Sequence, residues 1–326
     1  MIDYGYTNGV IAVKEKSLLK EKILRFAEMS TEDAFRALIE SGFGAGAEVS
    51  SVYEFEKLIA RDEEETDAFI MEYAPSSAIR SYLFVERDFH NAKAIFKAEY
   101  LSADVEKMLA PEGLLKVGDI LSAIREENHA ALGKELGEAV KNAQALVESA
   151  KEKGVAPSGA EIGVIFEKAL HAHLTSVCRG NLFLKKMLAK KADMRNILTA
   201  FRAGDEETAQ KLYFEGGSVS KKSLALLFSE DGEKREKAFK GTVYEAFAEL
   251  CFEAERSGKP YSEAERVLAS CEADYFYERR FELARSQPFL YYVFRRRAEN
   301  ENVRILFVCL LAGMRESDIK KRLRNV

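Results

Sequence analysis

Proline is scarce in this chain, five in 326 residues, and glycine is held to 20. So few helix breakers beside abundant Ala, Glu, Lys, Leu and Arg point to a mostly helical protein. No run of alternating β-branched residues lies between turn signals, so no strand is assigned. Long apolar runs are also lacking. The longest, Ile305 to Met314, has ten residues, about half of what a bilayer span needs. It reads as a core helix, and any membrane association then goes through a partner. Charge of one sign is absent too: 49 basic and 54 acidic side chains leave a net −5, which provides no global basic surface for nucleic acid. The four cysteines, Cys178, Cys251, Cys271 and Cys309, are scattered without a CxxC pair. With no secretory leader, the expectation is buried, reduced thiols in a cytoplasmic compartment.

Motifs for catalysis are missing as well. There is no GxxxxGK[ST], which excludes ATP binding through a P-loop, and no GxSxG or HExxH. Gly42-Phe43-Gly44-Ala45-Gly46 lacks the GxGxxG order and follows a helical pattern, so it reads as a helix stop and loop. Glu126 and His129 have ExxH spacing, but a di-iron bundle needs a second ExxH and two further Glu. Neither is found, and a solvated helix face is the plainer reading. His171 and His173 are two apart, which on a helix points them in different directions. The expectation is therefore no catalytic residue, no cofactor and no metal.

What is present is helical periodicity, and 47% apolar content is ample for real cores. Val10, Ile11, Leu18, Leu19, Ile23 and Phe26 form one stripe with charges between. Ser30-Thr31-Glu32-Asp33 reads as a cap and acidic first turn for a helix with Phe35, Leu38 and Ile39 on its core side. Short linkers are clearest at 154–159, 215–218 and 258–260. Asp62-Glu63-Glu64-Glu65 reads as a solvated helix end or loop. Arg295-Arg296-Arg297 reads as a helix cap pairing with acids such as Glu299 and Glu301.

Internal repetition is the most informative feature. Asp88-Phe89-His90-Asn91, Asp193-Met194-Arg195-Asn196 and Glu299-Asn300-Glu301-Asn302 share one pattern, with Asn residues 105 and 106 positions apart. Phe96, Phe201 and Phe307 follow five residues after each Asn, and Ala98, Ala203 and Cys309 seven after. A short helix opener comes next in each: Ser102-Ala103-Asp104, Gly204-Asp205-Glu206 and Glu316-Ser317-Asp318. Glu112-Gly113 and Glu215-Gly216 close two copies, and the chain ends where a third closure would fall. The spacing predicts three similar helical domains, at 1–111, 112–215 and 216–326, with a pseudo-threefold arrangement able to line a socket. An acid and an Asn at i and i+3 share a helix face. Triplication favours a polar clamp between helices over an active site, because folds are repeated within a chain far more often than active sites. The clamp residues are Asp88, Asn91, Asp193, Asn196, Glu299, Asn302 and Arg304, with bases such as Arg87, Lys93, Arg195 or Arg304 as partners of the carboxylates. Charge is uneven: the three segments carry −8, zero and +3, which favours one docking orientation.

Tyr4-Gly5-Tyr6-Thr7-Asn8 with Lys14 to Leu19, Phe84 to Lys93, and Glu299 to Arg304 with Gly313 and Ile319 together resemble the family of V/A-type ATPase C subunits, whose eukaryotic counterpart is the d subunit of the vacuolar enzyme. The sequence departs from that family at Val10 and Ala12, where bases are frequent. The resemblance covers the whole chain. It implies an all-α funnel of three helical bundles, without a catalytic site, that sits on the membrane rotor ring. Such an adaptor receives the central stalk and transmits torque for ion transport or ATP synthesis, on the cytoplasmic face of the membrane. The other class open to the sequence is a generic all-helical interaction scaffold. Such scaffolds usually repeat every 34–47 residues, and that period is not seen here.

Overall fold

A computed structural model describes residues 4–101, 108–282 and 285–323. Among the described residues every regular element is a helix and no strand occurs. The opener at Ser102-Ala103-Asp104 lies outside them. By packing, the chain divides into two compact units, Ala78–Leu268 and a second made of Met1–Ser77 with Ala269–Val326. No helix among the described residues is long and apolar enough to cross a membrane.

In the unit Ala78–Leu268 the long helix Ser77–Leu101 packs with Val117–Arg125, Lys134–Glu152 and Gly159–Val177. Their shared core holds Phe89, Phe96, Ile120, Val140 and Phe166. Burying each large side chain here stabilises the unit by about 2–3 kcal/mol, which makes an amphipathic stripe sufficient to fix each helix. The linker at 154–159 turns the chain, and Ser158 then caps the next helix by accepting from Glu161 N–H at 3.2 Å. Asn181 caps Leu182–Arg202 in the same way. That helix packs on Glu245–Ser257, where Phe201 meets Phe252 edge-on at 4.8 Å.

The second unit is built around Gln287–Leu311 and Phe55–Tyr73. Phe307 packs between Phe35 and Phe55, with ring centroids 5.9 and 5.4 Å away, in a core with Leu38, Ile59 and Leu306. Thr31–Glu40 opens on the Ser30 cap, whose hydroxyl accepts from Asp33 N–H at 3.2 Å. The helix ends in the glycine-rich segment that follows it.

Three local readings of the sequence are corrected. Ile39, expected on the core side of its helix, is 43% exposed. Arg295-Arg296-Arg297 lies inside Gln287–Leu311 and caps no helix. The stripe from Val10 to Phe26 runs over Tyr4–Lys14, a 3-10 turn Glu15–Ser17 and Lys22–Phe26. Lys20 interrupts it at φ 48, in the left-handed region that costs a non-glycine residue energy. Its backbone N–H is engaged elsewhere, as described below. Asp62 is not solvated: it lies inside Phe55–Tyr73 and is fully buried. All four cysteines are free and buried, and burial pushes the Cys178 and Cys251 thiols up to about 11 and about 12.

Candidate functional site

Asp88 and Asn91 sit one helical turn apart on Ser77–Leu101, on its buried side. The Asp88 carboxylate accepts from the backbone N–H groups of Leu114 (3.1 Å) and Leu115 (3.0 Å). The Asn91 amide accepts from Ala110 N–H at 2.8 Å and donates to the Ala110 carbonyl at 3.2 Å. An amide has a donor and an acceptor side by side, so one side chain satisfies both backbone polar groups of a single loop residue. Burial is the main influence on Asp88 and holds its carboxyl above the usual range, while the two backbone donors oppose that shift.

Asp193 and Asn196 repeat this geometry on Leu182–Arg202. Asp193 accepts from Ser218 N–H, Ser218 Oγ, Val219 N–H and Tyr244 Oη, all between 2.7 and 2.8 Å. Asn196 donates to the Phe214 carbonyl at 2.9 Å and accepts from Phe214 N–H at 2.8 Å. A Cβ built on Gly113 would fall 2.3 Å from Asp88 Oδ1, and one on Gly217 would fall 2.0 Å from Asp193 Oδ1. Both loops therefore need glycine where they pass under the acid. The carboxylates are held mainly by backbone amides. The sequence had pointed to side-chain bases instead, and of those named Arg195 lies over the Phe214 ring at 4.7 Å and pairs with Glu167 at 3.6 Å.

Glu299 and Asn302 are both buried on Gln287–Leu311. Glu299 Oε1 accepts from Lys20 N–H at 3.0 Å, 279 positions away. Lys20 lies two residues before Lys22–Phe26, as Leu115 precedes Val117–Arg125 and Val219 precedes Lys221–Ala225. The N-terminal segment thus supplies the loop that meets the third acid. Lys20 makes this bond from its strained backbone.

A charged cluster surrounds this third acid. Arg296, 6% exposed, is ion-paired to Asp62 and lies 3.4 Å from Glu299 Oε2. It also reaches the Ser17 carbonyl and sits over the Phe43 ring at 5.4 Å. Burial is the first cause that raises the Asp62 carboxyl from 3.8 to about 6, with Arg296 and the Asn300 amide opposing. Sequence reasoning missed Asp62, although it falls in register with Leu58, Ile59, Thr66 and Phe69 on the buried face.

Arg304 stands apart from the other six clamp residues. It binds Glu56 through two donors, at 3.0 and 3.1 Å, and Glu301 at 2.9 Å, tying Gln287–Leu311 to Phe55–Tyr73 at the surface. His171 Nε2 is 2.7 Å from the Glu215 carbonyl, and His173 Nδ1 is 3.0 Å from Glu135. Glu126 ends one helix and His129 begins a separate 3-10 turn, so they share no helix face. Among the described residues no group of three or more His, Cys, Asp or Glu is placed to hold a metal.

The clamps thus direct their polar atoms at the protein's own chain, which fits a structural part of a larger assembly. A comparison with curated protein sequences finds no match. The family model for the ATP synthase (C/AC39) subunit matches residues 7–322. The chain belongs to this family, that of the C and d subunits of V/A-type ATPases.

Proposed function

We propose that the chain is a non-catalytic rotor adaptor, linking the central stalk of a V/A-type ATPase to its membrane rotor ring and passing torque between them. The observation that carries the reading is a family match across nearly the whole chain, in a protein where Asp88, Asn91, Asp193, Asn196 and Glu299 each hold a loop to a helix. Parts that transmit torque need loops that do not yield, and a carboxylate with several backbone donors fixes a loop more firmly than an exposed ion pair. The socket that the resemblance implies receives the stalk. The subunit works at the cytoplasmic face, held there by its partners.

The net charges of −8, zero and +3 along the chain steer docking, so association slows as salt screens exposed charge beyond about 8 Å. Pure protein mixed with cognate stalk subunits, and separately with the isolated rotor ring, is followed by gel filtration at several salt concentrations. Co-elution that weakens with salt is expected. Correctly folded protein that joins neither partner at any salt would remove the adaptor role.

A further inference from the structure

Behind the second clamp lies a cavity of about 570 Å³, of a size that takes a small organic ligand. One wall is the Lys168, His171 and Thr175 face of Gly159–Val177. The opposite wall is the clamped loop, with Tyr213, Phe214 and Glu215. Four cations line it, Lys168, Arg179, Lys185 and Lys221, against the single acid Glu215. Lys221 is 3.1 Å from Glu215 and 4.9 Å from the Tyr213 ring, and Lys168 donates to the Lys211 carbonyl at 2.5 Å. The side chains of Arg179 and Lys185 have neither an ion pair nor a hydrogen bond among the described residues.

Arg179, Lys185 and Lys221 are exposed and Lys168 is half-buried, so the cluster is open to a counter-charge from solvent. Burial, and then repulsion from Lys221, push the Lys168 amine below its usual value. The C-terminus of Gly159–Val177 offers about half a negative charge. With the Glu215 carboxylate this offsets about one and a half of the four positive charges, so the lining stays net positive. His171 adds no charge of its own, because burial holds it below its usual value while it bonds the Glu215 carbonyl.

We propose that this cavity binds a phosphate ester, its phosphoryl oxygens between Arg179, Lys185 and Lys168 and its organic body against Tyr213 and Phe214. Guanidinium and ammonium groups together suit a dianionic phosphoryl group, and an aromatic wall suits an attached ring or chain. The occupant touches the Phe214–Gly216 loop that Asn196 and Asp193 secure, so binding reports directly on the second clamp. The inference is independent of the adaptor reading and is tested on the pure chain.

Phosphate of this chemistry comes free in solution or on a lipid headgroup, and the two arms of the test separate these sources. Isothermal titration calorimetry with phenyl phosphate at low salt probes the first. Co-sedimentation with phosphatidylcholine vesicles, with and without a phosphoinositide, probes the second. Saturable binding in either arm is expected, weakened at least about tenfold in Arg179→Gln/Lys185→Gln and unchanged in Lys186→Gln, an exposed site outside the cavity. Lys185→Glu alone serves as the second variant if the double one does not fold. No binding in either arm, vesicle binding that ignores the headgroup, or equal binding by both pocket variants and the parent would each overturn the proposal.

Discussion

The clamp at Asp193 and the cluster at Glu299 solve one problem with different chemistry. Asp193 is held by four neutral donors, two of them backbone amides of one loop. Glu299 receives a backbone N–H from Lys20 and otherwise faces Arg296 and, at 3.8 Å, Arg295, with Asp62 alongside. A loop that follows its helix closely in the chain can offer several consecutive amides to one carboxylate. A loop that arrives from 279 positions away offers one, and arginine side chains provide the positive partners. The first arrangement holds one carboxylate among neutral donors. The second depends on two carboxylates and their guanidinium partners staying in balance.

The sharpest test of that contrast is Arg296→Met. It leaves Asp62 buried without its cation and Glu299 with only Arg295, 3.8 Å away, a change that costs about 3–5 kcal/mol. The denaturant midpoint at pH 7.5 should fall accordingly, and the loss should shrink at pH 5, where Asp62 takes up a proton. A midpoint shift that is the same at both pH values would show that Asp62 is not part of the balance.

The parent protein carries a smaller version of the same effect. Folding raises the Asp62 carboxyl from 3.8 to about 6, so the folded chain binds this proton more tightly than the unfolded one. Unfolding then releases a proton between about pH 4 and 6, and this group's contribution declines as pH rises through that window. The rise corresponds to a loss of about 3 kcal/mol, absent below pH 4 and complete above pH 6. Asp62→Asn removes the titration, so the difference between parent and variant stability should change across pH 4–6 and be flat above it. A flat difference throughout would place Asp62 in contact with solvent.

The sequence made part of this legible and concealed the rest for identifiable reasons. Helical class follows from composition and short-range periodicity, the Ser30 cap from a local signal, and the equivalence of Phe96, Phe201 and Phe307 from the repeat. The acid and Asn of each clamp were visible because they recur at fixed spacing. Their partners were not, since a backbone amide carries no side-chain signature. The one sequence trace of those partners is a glycine 25 residues after Asp88 and 24 after Asp193, Gly113 and Gly217, required by close approach to the carboxylate. Asp62 was hidden in a run of four acids. Only its register with Leu58, Ile59 and Phe69 separates it from the exposed Glu64. The pairing of Lys20 with Glu299 joins the two ends of the chain, a distance over which no local pattern extends.

Asn196→Leu examines the neutral side of the comparison. It removes the donor and acceptor that hold Phe214 and leaves a buried peptide unit unpaired, at a cost of about 1–3 kcal/mol. The denaturant midpoint should fall by a similar amount at pH 5 and pH 7.5, because neither partner titrates between them. Asn91→Leu should behave alike, since Asn91 grips Ala110 with the same pair of bonds. An unchanged midpoint in either variant would show the side chain to be idle, and a loss confined to one pH would erase the distinction from the charged cluster.

Arg304→Gln should have the smallest effect. Arg304 joins the same two helices as Arg296, Gln287–Leu311 and Phe55–Tyr73, but from the surface, with its side chain 35% exposed and that of Glu56 52% exposed. Two parallel donors give good geometry, and the neighbouring acids raise the guanidinium's already high value, with the Glu56 bond first among the causes. Water solvates both partners well when they separate, so the pair contributes about 0.5 kcal/mol. Salt screens it further, since neither group is enclosed. Parent and Arg304→Gln should therefore differ slightly in midpoint at low salt and become indistinguishable at about 1 M, where the screening length is only about 3 Å. The Arg296→Met difference should persist there, because ions cannot enter the core around Asp62 and Glu299. If the Arg304 loss matches the Arg296 loss, or survives high salt, exposure does not separate the two arginines and the contrast between surface tie and buried cluster fails.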